Sequence, residues 1–190
     1  MKKMITAFFC VSLSIITLPV AAQSESEMKA WQEFMTPGDM HKWMAKQVGT
    51  WEAEVSSWMG PGDPVISSAT DVVTMTMNGL YQIGNFSSTM MGMPFQGQST
   101  LGYDNAKKQF VLTWIDNFGS GIIMMSGNYD NKSKTLILKG MQTNPVTGKE
   151  ANIRQVNVYH TNDSYTATMY GDGPDGKEIK FMEATYNRKK

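Results

Sequence analysis

Two periodicities divide the chain. Between residues 24 and 48, apolar residues recur at helical spacing: Met28, Trp31, Phe34 and Met35, then Met40, Trp43 and Met44. Ser24 or Ser26 can cap the first helix, Pro37-Gly38 interrupts it, and Asp39 can cap a second. Gly49 is placed to end that second helix in a left-handed conformation. From Trp51 onward the period becomes two. Strands are predicted over 50–58, 66–77, 80–91, 95–103, 108–116, 120–129, 134–142, 150–161, 164–170 and 177–187. Turn chemistry separates them: Asn78-Gly79, Asp104-Asn105, Asp116-Asn117, Asp130-Asn131, Pro145 to Gly148, Asn162-Asp163 and Gly171 to Gly176. No helix-length stretch lies between any two strands, so parallel crossovers have no room and the sheet is an antiparallel meander.

A short echo fits successive hairpins. Tyr103-Asp104-Asn105 followed by Lys108, Phe110 and Leu112 is matched by Tyr129-Asp130-Asn131 followed by Lys134, Leu136 and Leu138. Some ten strands in one open sheet would leave two unpaired edges. Closure removes both, so the expected fold is all-β: a single up-and-down barrel with a short N-terminal helical segment. A two-sheet sandwich is the structural alternative. Parity along the strands sets Met75 and Met77 inward with Val73. It groups Met91 with Met93, Met124 with Ile122, and Phe110 with Leu112, Trp114 and Asp116.

Residues 1–22 have a different character. Lys2 and Lys3 precede an apolar run from Met4 to Leu18, and Val20-Ala21-Ala22 offers a cleavage site, the pattern of a bacterial export signal. Pro19 ends the run too early for a membrane span. Cleavage near Ala22 takes away the single cysteine, Cys10, and leaves 15 basic against 17 acidic residues. The domains expected are a signal peptide over 1–22, a helical lead-in over 23–48 and a barrel over 49–190. The destination is periplasmic or extracellular, with no membrane span in the mature protein. Near-neutral charge provides no field for nucleic acid, and packing alone must hold an exported domain without disulfides.

Gly49-Thr50-Trp51, between helix and first strand, resembles the start of the barrel in lipocalins and fatty-acid-binding proteins, the calycins. That resemblance implies that Trp51 closes one barrel end and that Arg188, near the chain terminus, stacks on its indole. A wider resemblance runs through Val48-Gly49-Thr50-Trp51, Gly92-Met93-Pro94-Phe95-Gln96-Gly97 and Leu101-Gly102-Tyr103-Asp104. It continues through Trp114-Ile115-Asp116, Ser126-Gly127-Asn128-Tyr129-Asp130, Thr147-Gly148-Lys149 and Tyr186-Asn187-Arg188-Lys189. These motifs are similar to the bacterial family called domain of unknown function 1579. The resemblance implies a calycin-like barrel and export, and it brings no activity with it.

Catalytic chemistry has few carriers. His41, expected near the polar side of its helix, and His160, expected in solvent, are the only histidines. No catalytic residue, metal ligand set or cofactor is assigned, since the nucleophile elbow, zinc pair and phosphate loop are all absent. Asp116 either ends an inward apolar stripe, where it would anchor a polar head, or caps its turn; Glu183 poses the same question. Met is the outlying residue type, at 17 positions. Its dispersal on strands points to a pliable apolar lining. The expected function is non-catalytic binding of a small hydrophobic or amphipathic molecule by a barrel lined with Met75, Met77, Met91, Phe110, Trp114, Asp116 and Met124. Two alternatives stand beside it: Cu(I) held by Met90-Met91-x-Met93 and Met75-x-Met77, and an enzyme with an unrecognised site. No oligomeric state follows from the sequence.

Overall fold

The computed structural model describes residues 24–190. The leader expected over 1–22, with Cys10 and the cleavage point, lies outside the described residues. Helix α1 (Glu25–Met35) opens on a capping box in which the Ser24 hydroxyl accepts from the Glu27 amide and the Glu27 carboxylate accepts from the Ser24 amide. It buries none of its residues, so Met28, Trp31, Phe34 and Met35 stay exposed. Asn105 tethers its far end by donating to the carbonyls of Glu33 and Thr36. Helix α2 (Asp39–Ala45) does the packing, with Met44 and His41 buried and Met40 and Trp43 against the core.

Ten strands follow. They are β1 (Gly49–Ser57), β2 (Val65–Thr76), β3 (Tyr81–Met90), β4 (Met93–Asp104), β5 (Gln109–Asp116), β6 (Ile123–Asp130), β7 (Thr135–Thr143), β8 (Glu150–Tyr159), β9 (Ser164–Asp172) and β10 (Glu178–Arg188). Each pairs antiparallel with its sequence neighbours, and β1 pairs with β10 from Trp51↔Arg188 to Ser57↔Met182. That last ladder closes the barrel and excludes the two-sheet sandwich. A bulge between Lys180 and Met182 bends β10 near its start.

The echoed turns prove to be one device used twice. In the β4–β5 turn Asp104 accepts from the amides of Ala106 and Lys107; in the β6–β7 turn Asp130 accepts from the amide of Lys132 and the hydroxyl of Ser133. Each turn then passes through a lysine with positive φ, Lys108 at 55° and Lys134 at 52°. Both turns lie at the end where α2 sits. The hairpins and loops at the other end, 58–64, 91–92, 117–122, 144–149 and 173–177, surround the mouth.

Candidate ligand site inside the barrel

The closed end is built around the Gly-x-Trp signature. Trp51 is buried, donates its indole N–H to the Gln47 carbonyl at 2.9 Å, and carries the Arg188 guanidinium 4.2 Å from its ring centre. Arg188 also binds the carbonyls of Val48, Lys46 and Asn162 and the Asp163 carboxylate, so one side chain ties the helix exit to the β8–β9 turn. The helix has already ended at Ala45, so Gly49 does not terminate it, contrary to expectation. Gly49 is instead the first residue of β1, with φ at 143°. A Cβ there would lie 2.7 Å from the Arg188 guanidinium, and that approach demands glycine.

Behind this plate the interior has two halves. On β4 to β8, Leu101, Phe110, Leu112, Met125, Leu136, Leu138 and Ile153 form one buried cluster with Met44 of α2. Trp43 drives into it, edge-on to Phe110 and Tyr159. On β1, β2, β9 and β10 the buried set has Trp51 and Tyr186 toward the closed end and is otherwise small: Ala53, Ala69, Ala167 and Ala184 with Val55 and Val73. Beside or across from these alanines, inward-pointing Asp71, Phe86, Ser99, Trp114, Gln155 and Met169 each keep partial exposure. The interior is thus less completely buried around these side chains than around Met44 and its cluster.

Asp71 is the chemical feature of that half. It projects inward at the register position that joins Trp51 on β1 to Phe86 on β3. Its carboxylate and the Ser99 hydroxyl lie over Gly84, which has no room for a Cβ. One carboxylate oxygen is buried without any hydrogen-bond partner. Burial pushes its pKa up to about 6, because no cation compensates the lost hydration. Nearby, Tyr186 stacks on Tyr165 at 4.3 Å and Tyr165 on Tyr159 at 5.3 Å, and burial raises the pKa of all three phenols.

The expected lining residues separate into two groups. Phe110 is buried, Met75 packs against the core from inside, and Trp114 projects inward beside Phe86 and Phe95. Met77, Met91 and Met124 do not line the interior. Met77 lies past the end of β2 in a positive-φ turn, and Met91 occupies the β3–β4 turn, also at positive φ. Met124 is 61% exposed because parity on β6 turns Met125, not Met124, to the core. Asp116 has both oxygens engaged, with the Trp114 indole at 2.8 Å and the Phe118 amide at 2.9 Å; it caps its turn and holds the indole. Glu183 takes the outward register, bound to Lys180 and Thr168.

His41 corrects another expectation. It is 2% exposed, accepts from the Gly38 amide at 3.0 Å and sits edge-on to Tyr103, so desolvation lowers its pKa. His160 is exposed beside the Thr166 hydroxyl. Among the described residues no three His, Cys, Asp or Glu side chains gather as metal ligands. The Met pairs proposed for Cu(I) lie at opposite ends, with Met90 to Met93 at the mouth and Met75 to Met77 near α2. Asp71 itself was missed, although the parity that turns Val73 and Met75 inward reaches it two residues earlier.

A closed up-and-down barrel with a helix across one end and an Arg–Trp plate is a calycin-like architecture. The chain belongs to the DUF1579 family, proteins of unknown function, whose model matches residues 36–188. No curated protein gives a significant match. Among solved structures the chain is similar to Rv2717c from M. tuberculosis, at 11% identity and a TM-score of 0.63, covering 82% of this chain and all of that one. It is also similar to the S-type phycobiliprotein lyase CPES from Guillardia theta, at 10% identity and a TM-score of 0.56, covering 84% of this chain and 98% of that one. At these identities the likeness is one of fold. Among the described residues, no helix is long and apolar enough to cross a membrane.

Proposed function

We propose that this protein is exported and that its barrel binds a small amphipathic molecule without transforming it. The observation that carries the reading is the uneven interior: four alanines on β1, β2, β9 and β10 share it with inward side chains, Phe86, Ser99, Trp114 and Gln155 among them, that remain partly accessible. Barrels of this strand number can enclose one small ligand. The mouth adds support. Met91, Met93, Phe118 and Ile122 are exposed there among the polar turns and give an apolar guest a surface to meet on entry. A structure named as a phycobiliprotein lyase shares the fold, which is compatible with a small-molecule partner. Native mass spectrometry of the freshly purified protein, followed by displacement of a neutral lipophilic dye, tests the reading. Bound guest or saturable dye uptake that Ala69→Leu abolishes is the expected result. A protein that carries no guest and takes up no dye overturns it.

A further inference from the structure

The chemistry of the guest can be narrowed, on the footing that the barrel interior is a binding site. A buried carboxylate oxygen without a partner is costly unless something pairs with it. Among the described residues the fold supplies nothing suitable. Lys139, Arg154 and Lys180 take outward register positions beside inward Leu138, Ile153 and Gly171. Arg188 is committed to Trp51, Asp163 and three carbonyls, and His41 to Gly38 at the closed end. Around Asp71 are aromatic and small side chains: Trp51, Phe86, Gly84, Ser99 and the Tyr165–Tyr186 stack. A carboxylate among aromatic faces is an arrangement that favours an ammonium group, through a charge-assisted hydrogen bond and cation–π attraction.

We propose that the guest is a cationic amphiphile: a protonated amine on Asp71, with an apolar body lying along Ala53, Ala69 and Phe86 toward the mouth. A neutral head could satisfy the orphan oxygen but would leave the charge uncompensated. An anionic head would add repulsion to a site that already holds one unpaired negative charge.

Isothermal titration of the intact protein near neutral pH with decylamine, decanol and decanoate, all below micelle formation, tests this. The three probes share a chain and differ in head charge. Decylamine should bind about ten-fold or more tightly than decanol, the range of a charge-assisted hydrogen bond, and decanoate weakest. Asp71→Asn, close to isosteric, should bring decylamine and decanol within about two-fold of each other. Glu54→Gln, which removes an outward carboxylate from β1, should leave the preference intact. Equal binding of all three heads overturns the amine and leaves the binding barrel standing. A preference that survives Asp71→Asn overturns it as well, since the charge read is then elsewhere. Failure of every probe to bind overturns both readings together.

Discussion

The two halves of the interior are made from the same strands-and-parity rule and end in opposite states. On β4 to β8 the buried apolar positions carry Leu, Phe, Met and Ile, and α2 drives Met44 and Trp43 into them. On β1, β2, β9 and β10 the buried inward positions away from Trp51 and Tyr186 carry Ala and Val, and one inward position carries Asp71. The first half holds the barrel together; on the proposed reading the second receives the guest. On that reading, stability and function are divided around the circumference instead of between core and loops. The sharpest way to break that division is truncation in the filled half. Leu138→Ala, at a fully buried position, should cost about 3–5 kcal/mol in denaturant unfolding. A cost below about 1 kcal/mol would mean that the filled half is not the stabilising one.

Asp71 provides the next largest effect, with opposite sign. Its folded pKa of about 6 stands above the ordinary carboxylate value, so between those values the folded state holds a proton that the unfolded chain has lost. The ionised form therefore destabilises the empty barrel at neutral pH, and the penalty lifts as pH falls through about 6. Asp71→Asn should stabilise the ligand-free protein at neutral pH by up to ~3 kcal/mol, less what burying an amide costs. The gain should shrink by about 1 kcal/mol or more on acidification to pH 5. His41 acts the other way: burial depresses its pKa, so its contribution is present above the ordinary histidine value and fades as pH falls. The wild-type-minus-variant difference, measured at both pH values, cancels His41 and isolates Asp71. A difference independent of pH would place Asp71 in solvent.

The asymmetry was only half legible in the sequence. Strand number, antiparallel order and closure followed from turn signals and edge avoidance, because these are local or topological. Both Asp-Asn turns were visible as an echo, though not the positive φ at Lys108 and Lys134 that makes them alike. Parity succeeded within strands, as at Phe110, Leu112 and Leu138, and failed at their ends. Met77 and Met91 sit where the pleat has already given way to a turn, and Met124 lost its face to Met125. His41 was misplaced because the second helix is short and lies across the barrel end, so its buried side is set by Tyr103 and the sheet. Asp71 went unremarked because a single acid between Thr70 and Val72 has no motif. Only the closed barrel shows that, among the described residues, nothing basic faces it.

A third test concerns the plate on which both halves rest. Trp51→Ala and Arg188→Ala each remove more than their mutual contact, since Arg188 also holds three carbonyls and Asp163. A double-mutant cycle should return a coupling of about 0.5–2 kcal/mol for the stacked guanidinium. Additivity would reduce the plate to two independent core contacts.

The smallest expected effect is the most diagnostic of the division. Adding volume to a filled core costs about 1–3 kcal/mol, because neighbours must leave their rotamers. Where space lies in front of the residue, added volume has somewhere to go. Ala69→Leu, beside Ala53 and Ser88, should therefore change stability by less than about 1 kcal/mol while excluding a guest from the loose half. An overpacking change in the filled half, Leu112→Phe, should incur the full penalty and leave guest binding alone. If Ala69→Leu proves as costly as Leu112→Phe, the alanines are packed and not waiting, and the interior has no second half to speak of.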